Sequence, residues 1–525
     1  MARNEHSPRR GVRPAVLLLL AVGIALSVRL WGLGDRSLWY DEGATTLLAD
    51  ALASPLDALD WGRTNDPPLL TWLAVLPNRV LGPWLGLDRA TRAHDALVHV
   101  IPLLFSTAAV ALAFACFRRV LGPGAAFGGA LLCALSPFQI MYAHEIRPYA
   151  SMLLIALAAW YCLDRALEGN RPGWWAAYAL AGALGMYNHF FAAWVLLTLA
   201  LTGGWAVLFR WHLLPGWFLA NAAAGLLSLP MLLMAARAGR LIASITNVYT
   251  IHPDAKQFLI TFKTFLAGFT DRREVYWPLL AVSLALFLAG LWSLRRDPRR
   301  AGMAFLLVVF PVAGNLLFWQ FPRVPYYEHR QFLFAGAVYC GVVALGIAAL
   351  PRRPLRAVVW AVLLALMGVT VADEHAQRIH PLDTHLMGVR YKPDNRAAAR
   401  RIADGFQPGD RVLHASHFTL LPLRHYLQGR NIPQQCIYGD PAELEGFLGS
   451  FPNPNAWEFY GAMPVPVDEA LAGARRVWYV ESWWEHTRRP PHVLALRERV
   501  LKSGHLLTYA PFDGGLLLLV ERAPG

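Results

Sequence analysis

The chain has 525 residues, 56% of them hydrophobic and 16% charged, with a mean hydropathy of +0.36. Such a composition excludes an ordinary soluble globular protein and places most of the chain in lipid. The net charge of +13 does not indicate nucleic acid, because the basic residues form no single patch; clusters such as Arg118 and Arg119, Arg295 to Arg300, and Arg352 to Arg356 lie between apolar stretches, as cytoplasmic loops do.

Arg3, Arg9, Arg10 and Arg13 precede the first apolar run, which resembles the start of a signal peptide. No small-x-small cleavage site follows, so a retained first span is expected. Stretches long enough to cross a hydrocarbon core recur near 15–33, 95–117, 124–141, 148–164, 173–188, 190–209, 213–235, 276–294, 301–320, 331–350 and 354–372, giving an expected eleven spans. With a cytoplasmic N-terminus, the arginine-rich loops all fall on the cytoplasmic side. The same register puts 34–94, 142–147, 187–189, 236–275, 321–330 and the C-terminal region outside, in an inner or plasma membrane. Four cysteines sit in apolar runs and Cys436 stands alone, so no disulfide framework is implied.

The expected outer segments are dense in ionisable groups. Loop 34–94 opens with Ser37-Leu38-Trp39-Tyr40-Asp41-Glu42-Gly43, two carboxylates just past a span end. Taken singly, such a pair is also a solvated loop pair or a helix cap. Asp66-Pro67-Pro68-Leu69 begins a further apolar run, readable as an interfacial amphipathic helix. His144-Glu145-Ile146-Arg147-Pro148-Tyr149 precedes the fourth span, with Pro148 expected at the first helical position. That puts Arg147 at a helix N-terminus facing outward, a ready anion site. His189 heads the sixth span, and Glu328-His329-Arg330 heads the tenth. Cationic heads of three inward-running helices beside Asp41 and Glu42 describe a lipid-linked phosphate meeting a general base.

After Asp373 the composition changes. Helices are expected over 394–406 and 492–503, and strands over 411–416, 475–481, 505–510 and 516–522, forming a small α/β domain. The organisation expected is therefore a mainly α transmembrane unit, 1–372, followed by a periplasmic domain, 373–525. His414-Ala415-Ser416-His417 follows the first strand where a glycine-rich phosphate loop would stand, so no nucleotide site is expected. Trp478, Tyr479, Trp483 and Trp484 fit either core packing or stacking on a sugar.

The Leu38–Glu42, Asp66–Leu69 and Glu145–Tyr149 segments, with Tyr187-Asn188-His189-Phe190 and Arg330, resemble the GT-C superfamily of membrane glycosyltransferases, specifically family 39-like enzymes related to protein O-mannosyltransferases and the lipid A aminoarabinose transferase. The resemblance covers roughly 30–350. It departs at Ile146, where relatives usually carry a small residue between the acid and the arginine. It implies a polytopic helical bundle of GT-C type and inverting transfer of a sugar from a polyprenyl-phosphate donor. Asp41 then takes the role of base, with Glu42 and Glu145 as further catalytic-site carboxylates. Arg147, His189, His329, Arg330, Tyr149 and Asp66 become donor and lipid-phosphate binders. Some members of the superfamily use a divalent metal, and Asp41, Glu42 and Glu145 would supply oxygen ligands suited to magnesium or manganese. The partners implied are the polyprenyl-phosphate sugar, membrane lipid and an envelope acceptor: protein, lipid A, another glycolipid or a polysaccharide.

A transporter or flippase of a lipid-linked saccharide is the alternative, but it calls for ionisable residues at mid-span, and here they collect at the outer rim. A non-catalytic anchor for the C-terminal domain would not need eleven spans.

Overall fold

The computed structural model describes residues 13–59, 67–244, 255–318, 327–379, 391–441, 444, 458–483 and 490–522. The first part is a helical bundle in chain order α1 Pro14–Leu30, α2 Tyr40–Ala51, α3 Pro68–Val75, α4 Gly82–Trp84, α5 Arg92–Leu121, α6 Pro123–Leu135, α7 Pro137–Ala143, α8 Tyr149–Gly169, α9 Pro172–Asn188 and α10 Ala192–Val207. It continues through α11 Leu214–Leu227, α12 Leu229–Ser244, α13 Ala255–Ala267, α14 Arg273–Ser293, α15 Pro298–Phe318, α16 Leu333–Ala349 and α17 Arg353–His375.

Every apolar stretch expected from the sequence is helical, but not every helix is a full span. Among the described residues six helices are long and apolar enough to cross a membrane, and two bent pairs raise the number to eight. The difference from eleven has a local cause. α1, α9 and α10 are 17, 17 and 16 residues long, short of the roughly 20 that cross a hydrocarbon core. The stretch expected as one span at 124–141 bends by 56° between α6 and α7. Pro137 is the first residue of α7, where its missing N–H is harmless, and Ser136 caps the new helix by accepting from Gln139 N–H.

Inside the bundle, small residues allow backbones to meet where the hydrophobic effect between helices is weak. At Gly290 of α14 a Cβ would sit 2.3 Å from the Val342 carbonyl oxygen. At Gly346 of α16 it would sit 1.9 Å from that of Leu286. α14 and α16 therefore touch backbone to backbone, fixing the helix that Arg330 precedes. The main core joins Phe117, Phe138, Trp160, Phe265 and Tyr339 from five helices.

The C-terminal part is a six-stranded sheet in the order β3-β2-β1-β4-β6-β5, with β1 Asp410–His414, β2 Gln434–Tyr438, β3 Val465–Pro466, β4 Arg476–Ser482, β5 Gly504–Phe512 and β6 Gly515–Arg522. The first four pair parallel, and β6 runs antiparallel to β4 and β5. β1, β4, β5 and β6 lie where alternation predicts strands, whereas β2 and β3 were not anticipated. Helices α18 Asn395–Gly405, α19 His417–Tyr426, α20 Val467–Leu471 and α21 Pro490–Lys502 complete this part.

This domain does not hang free. A second core mixes Leu38, Ala49, Leu70, Val98 and Ile146 of the bundle end with Ile402, Val412, Tyr426 and Trp478 of the C-terminal part. Trp478 and Tyr479 are buried, in keeping with core packing; Trp484 lies outside the described residues.

Candidate active site

α2 begins directly beyond the turn that leaves α1. Its first turn holds Asp41 and Glu42, a favourable place for carboxylates because the free amides and positive dipole end lie there. Trp39 N–H donates to Glu42 Oε2 at 3.3 Å, closing the helix start. The two neighbours then diverge. Asp41 keeps 20% of its side chain exposed, whereas Glu42 is wholly buried.

Two arginines from distant helices flank the open carboxylate. Asp41 Oδ2 lies 3.7 Å from Arg147 Nε and 3.8 Å from Arg330 Nη1. Arg147 stands just before α8, whose N-cap is Pro148, one position outside the helix rather than the first helical residue expected. Its Nη1 also donates to Thr45 Oγ1 of α2 at 3.2 Å. Arg330 lies in a 3₁₀ turn, His329–Phe332, that leads into α16. Its guanidinium stacks 5.0 Å over the Tyr149 ring and pairs with Glu328. Tyr149 in turn meets the His189 ring at 5.6 Å, and His189 Nδ1 accepts from Phe191 N–H at 3.1 Å. His329 is buried edge-on to Tyr327 and Phe269, at 5.9 and 6.3 Å. Asp66 lies outside the described residues.

Glu42 was expected beside Asp41 among the catalytic carboxylates, and its oxygens are already engaged. Oε1 accepts from Ile146 N–H at 2.9 Å and lies 2.8 Å from His99 Nε2; Oε2 accepts from Lys392 Nζ at 2.7 Å. Lys392 also donates to the His144 carbonyl at 2.8 Å. One carboxylate thus ties together α2, α5, the α7–α8 turn and the segment entering the C-terminal domain. Burial by itself would raise the Glu42 carboxyl, yet Lys392 and His99 hold it well below the usual carboxylate range.

Glu145 is the opposite case. It is buried, and its Oε1 has no hydrogen-bond partner among the described residues. Burial pushes its carboxyl up to about 7; Lys392 opposes this and Glu42 adds to it.

Sequence reasoning missed Lys392, His99 and a second buried set. Arg396 pairs with Asp95 and donates to the carbonyls of Gly34 and Asp35 at 2.8 and 2.9 Å. Tyr426 Oη donates to Asp95 at 3.0 Å while accepting from Leu38 N–H at 2.6 Å. One signal was available: only four of the 48 basic residues are lysine, so a lysine here breaks the chain's habit.

The carboxylates named for a divalent metal do not fit that role. Lys392 occupies the cation position beside Glu42, and among the described residues no group of three or more His, Cys, Asp or Glu side chains is arranged to hold an ion.

Residues 65–234 match the family described as dolichyl-phosphate-mannose-protein mannosyltransferase. Among solved structures, ArnT from Cupriavidus metallidurans in the apo state is 15% identical, with a TM-score of 0.58 over 96% of this chain and 98% of that one. The same protein bound to undecaprenyl phosphate is 16% identical, with the same TM-score and coverage. The oligosaccharyltransferase AglB from Archaeoglobus fulgidus, in complex with an inhibitory peptide and a dolichol-phosphate, is 11% identical, with a TM-score of 0.50 over 95% of this chain and 74% of that one. No curated protein sequence matches significantly. At these identities the likeness is one of fold. The helical bundle and its appended sheet thus share the fold of these GT-C membrane glycosyltransferases over nearly the whole chain, and residues 65–234 also match the mannosyltransferase family.

Proposed function

We propose that the protein transfers a sugar from a polyprenyl-phosphate donor to an acceptor hydroxyl, with inversion, at the periplasmic face of an inner or plasma membrane. The observation that carries this reading is the approach of Arg147 and Arg330 to one oxygen of Asp41. The undecaprenyl phosphate in the similar ArnT structure supports the donor class. Arginine-rich ends opposite the cluster support the orientation.

In the reaction, Asp41 accepts the proton of the acceptor hydroxyl as its oxygen bonds to the anomeric carbon. The bond from that carbon to the phosphate oxygen breaks with its electron pair, and polyprenyl phosphate departs. A phosphate needs no strong general acid to leave, but it needs charge compensation. Arg147 and Arg330 supply it, both lying beside Asp41 at distances longer than hydrogen bonds. Glu42 acts through position: with Lys392 and His99 it fixes the start of α2. Glu145, buried next to these charges, orients a sugar hydroxyl.

The test is reconstitution of the full chain with a radiolabelled polyprenyl-phosphate sugar and an envelope extract as acceptor. Transfer by wild type and its loss in Asp41→Asn is the expected result. Movement of lipid across the bilayer without cleavage would instead make the protein a flippase.

A further inference from the structure

A second basic site lies at the other end of the bundle. α5 carries His99 near its start, beside Glu42, and Arg119 near its end, about 30 Å further along the helix. There a cavity of about 250 Å³ opens between α5, α8, α15 and α16, rimmed by Arg119, Arg210, Arg299, Arg300, Asp164 and Glu168. Its floor is apolar, with Trp160, Leu307 and Val342.

The charges are not balanced. Arg119 takes up both carboxylates, at 2.5 Å from Asp164 and 2.6 Å from Glu168. Among the described residues Arg210 donates to the Leu167 carbonyl, at 3.2 Å, and Arg300 pairs at 3.3 Å with Asp297. Arg299, half-buried at the rim, has no ion-pair partner among the described residues. A cationic rim above an apolar floor matches a molecule with an anionic head and a hydrocarbon body. A soluble anion would leave the floor unused.

We propose that this cavity binds an anionic phospholipid, its phosphate between Arg210, Arg299 and Arg300 and the start of an acyl chain against Trp160 and Leu307. The site is separate from the Asp41 cluster and does not depend on the reaction assigned there.

The test uses the full chain, delipidated in detergent and returned to nanodiscs of phosphatidylcholine with or without phosphatidylglycerol. Retained lipid is counted by native mass spectrometry and thermal unfolding is followed in parallel. Wild type should retain phosphatidylglycerol preferentially and unfold at a higher temperature in its presence. In Arg299→Gln/Arg300→Gln, at the cavity rim, the preference should drop about fivefold for each arginine lost. Equal retention by the double variant and wild type overturns the proposal. So does a thermal shift reproduced in full by inorganic phosphate in detergent, which would mark a free-anion site.

Discussion

Lys392 Nζ lies 2.7 Å from Glu42 Oε2, joining positions 350 residues apart in the chain. Because both side chains are buried, neither charge can be left alone, and the pair pins the C-terminal domain to the helix that carries Asp41. Glu42, and with it the start of α2 where Asp41 stands, is therefore held from two sides, by the bundle through His99 and Ile146 and by the appended domain through Lys392.

Removing one member exposes that dependence. Lys392→Met should destabilise by about 3–5 kcal/mol, the cost of a buried carboxylate without its partner. Adding Glu42→Gln should restore much of the loss. Thermal unfolding of single and double variants in detergent measures the coupling, and strictly additive effects would show that the two residues do not act as a pair.

Gly43 offers a geometric test of the same clamp. A Cβ there would lie 2.8 Å from Pro422 N and 3.0 Å from the Leu421 carbonyl carbon, both backbone atoms of α19. Gly43→Ala must push α2 away from that helix and carry Asp41 with it. Transfer should drop on the order of 100-fold with folding retained, as misplacement of about 1 Å does to catalytic groups. Unchanged turnover would mean that α2 is not held by the C-terminal domain.

The arginines make a third prediction. Arg330→Lys keeps a charge but loses the planar fork and its stacking on Tyr149, so donor KM should rise with little rescue relative to Arg330→Ala. Arg147→Ala should weaken binding of polyprenyl phosphate itself, read by equilibrium binding of the unglycosylated lipid. Full affinity in that variant would remove Arg147 from the phosphate site.

Glu145 predicts a pH dependence of stability. Its carboxyl titrates near 7 in the folded protein against 4.5 as the ordinary value, so the folded state binds more proton than the unfolded state between these limits. Stability from this group is full below about pH 4.5 and is lost as pH rises through about 7. Glu145→Gln should flatten the unfolding temperature across that window. A variant whose pH profile superimposes on wild type would assign the titration elsewhere.

The membrane-embedded nature of the chain, its helical stretches and the carboxylate–arginine segments at span ends are all written locally, in runs of apolar residues and in the charges that interrupt them. Asp41, Arg147 and Arg330 are visible in that way because the bilayer makes an ionisable group at a span end conspicuous. What separates Asp41 from Glu42 is not local: adjacent in sequence and identical in charge, they differ because Lys392, His99 and Ile146 N–H close on one and leave the other part-exposed. Nor does any local pattern reveal that Arg396 and Tyr426 lock onto Asp95, or that a 56° bend divides one apolar run into α6 and α7. Hydropathy records how each residue meets lipid or water, averaged along the chain. Charge pairing across hundreds of residues depends on which surfaces meet, and only the folded chain decides that.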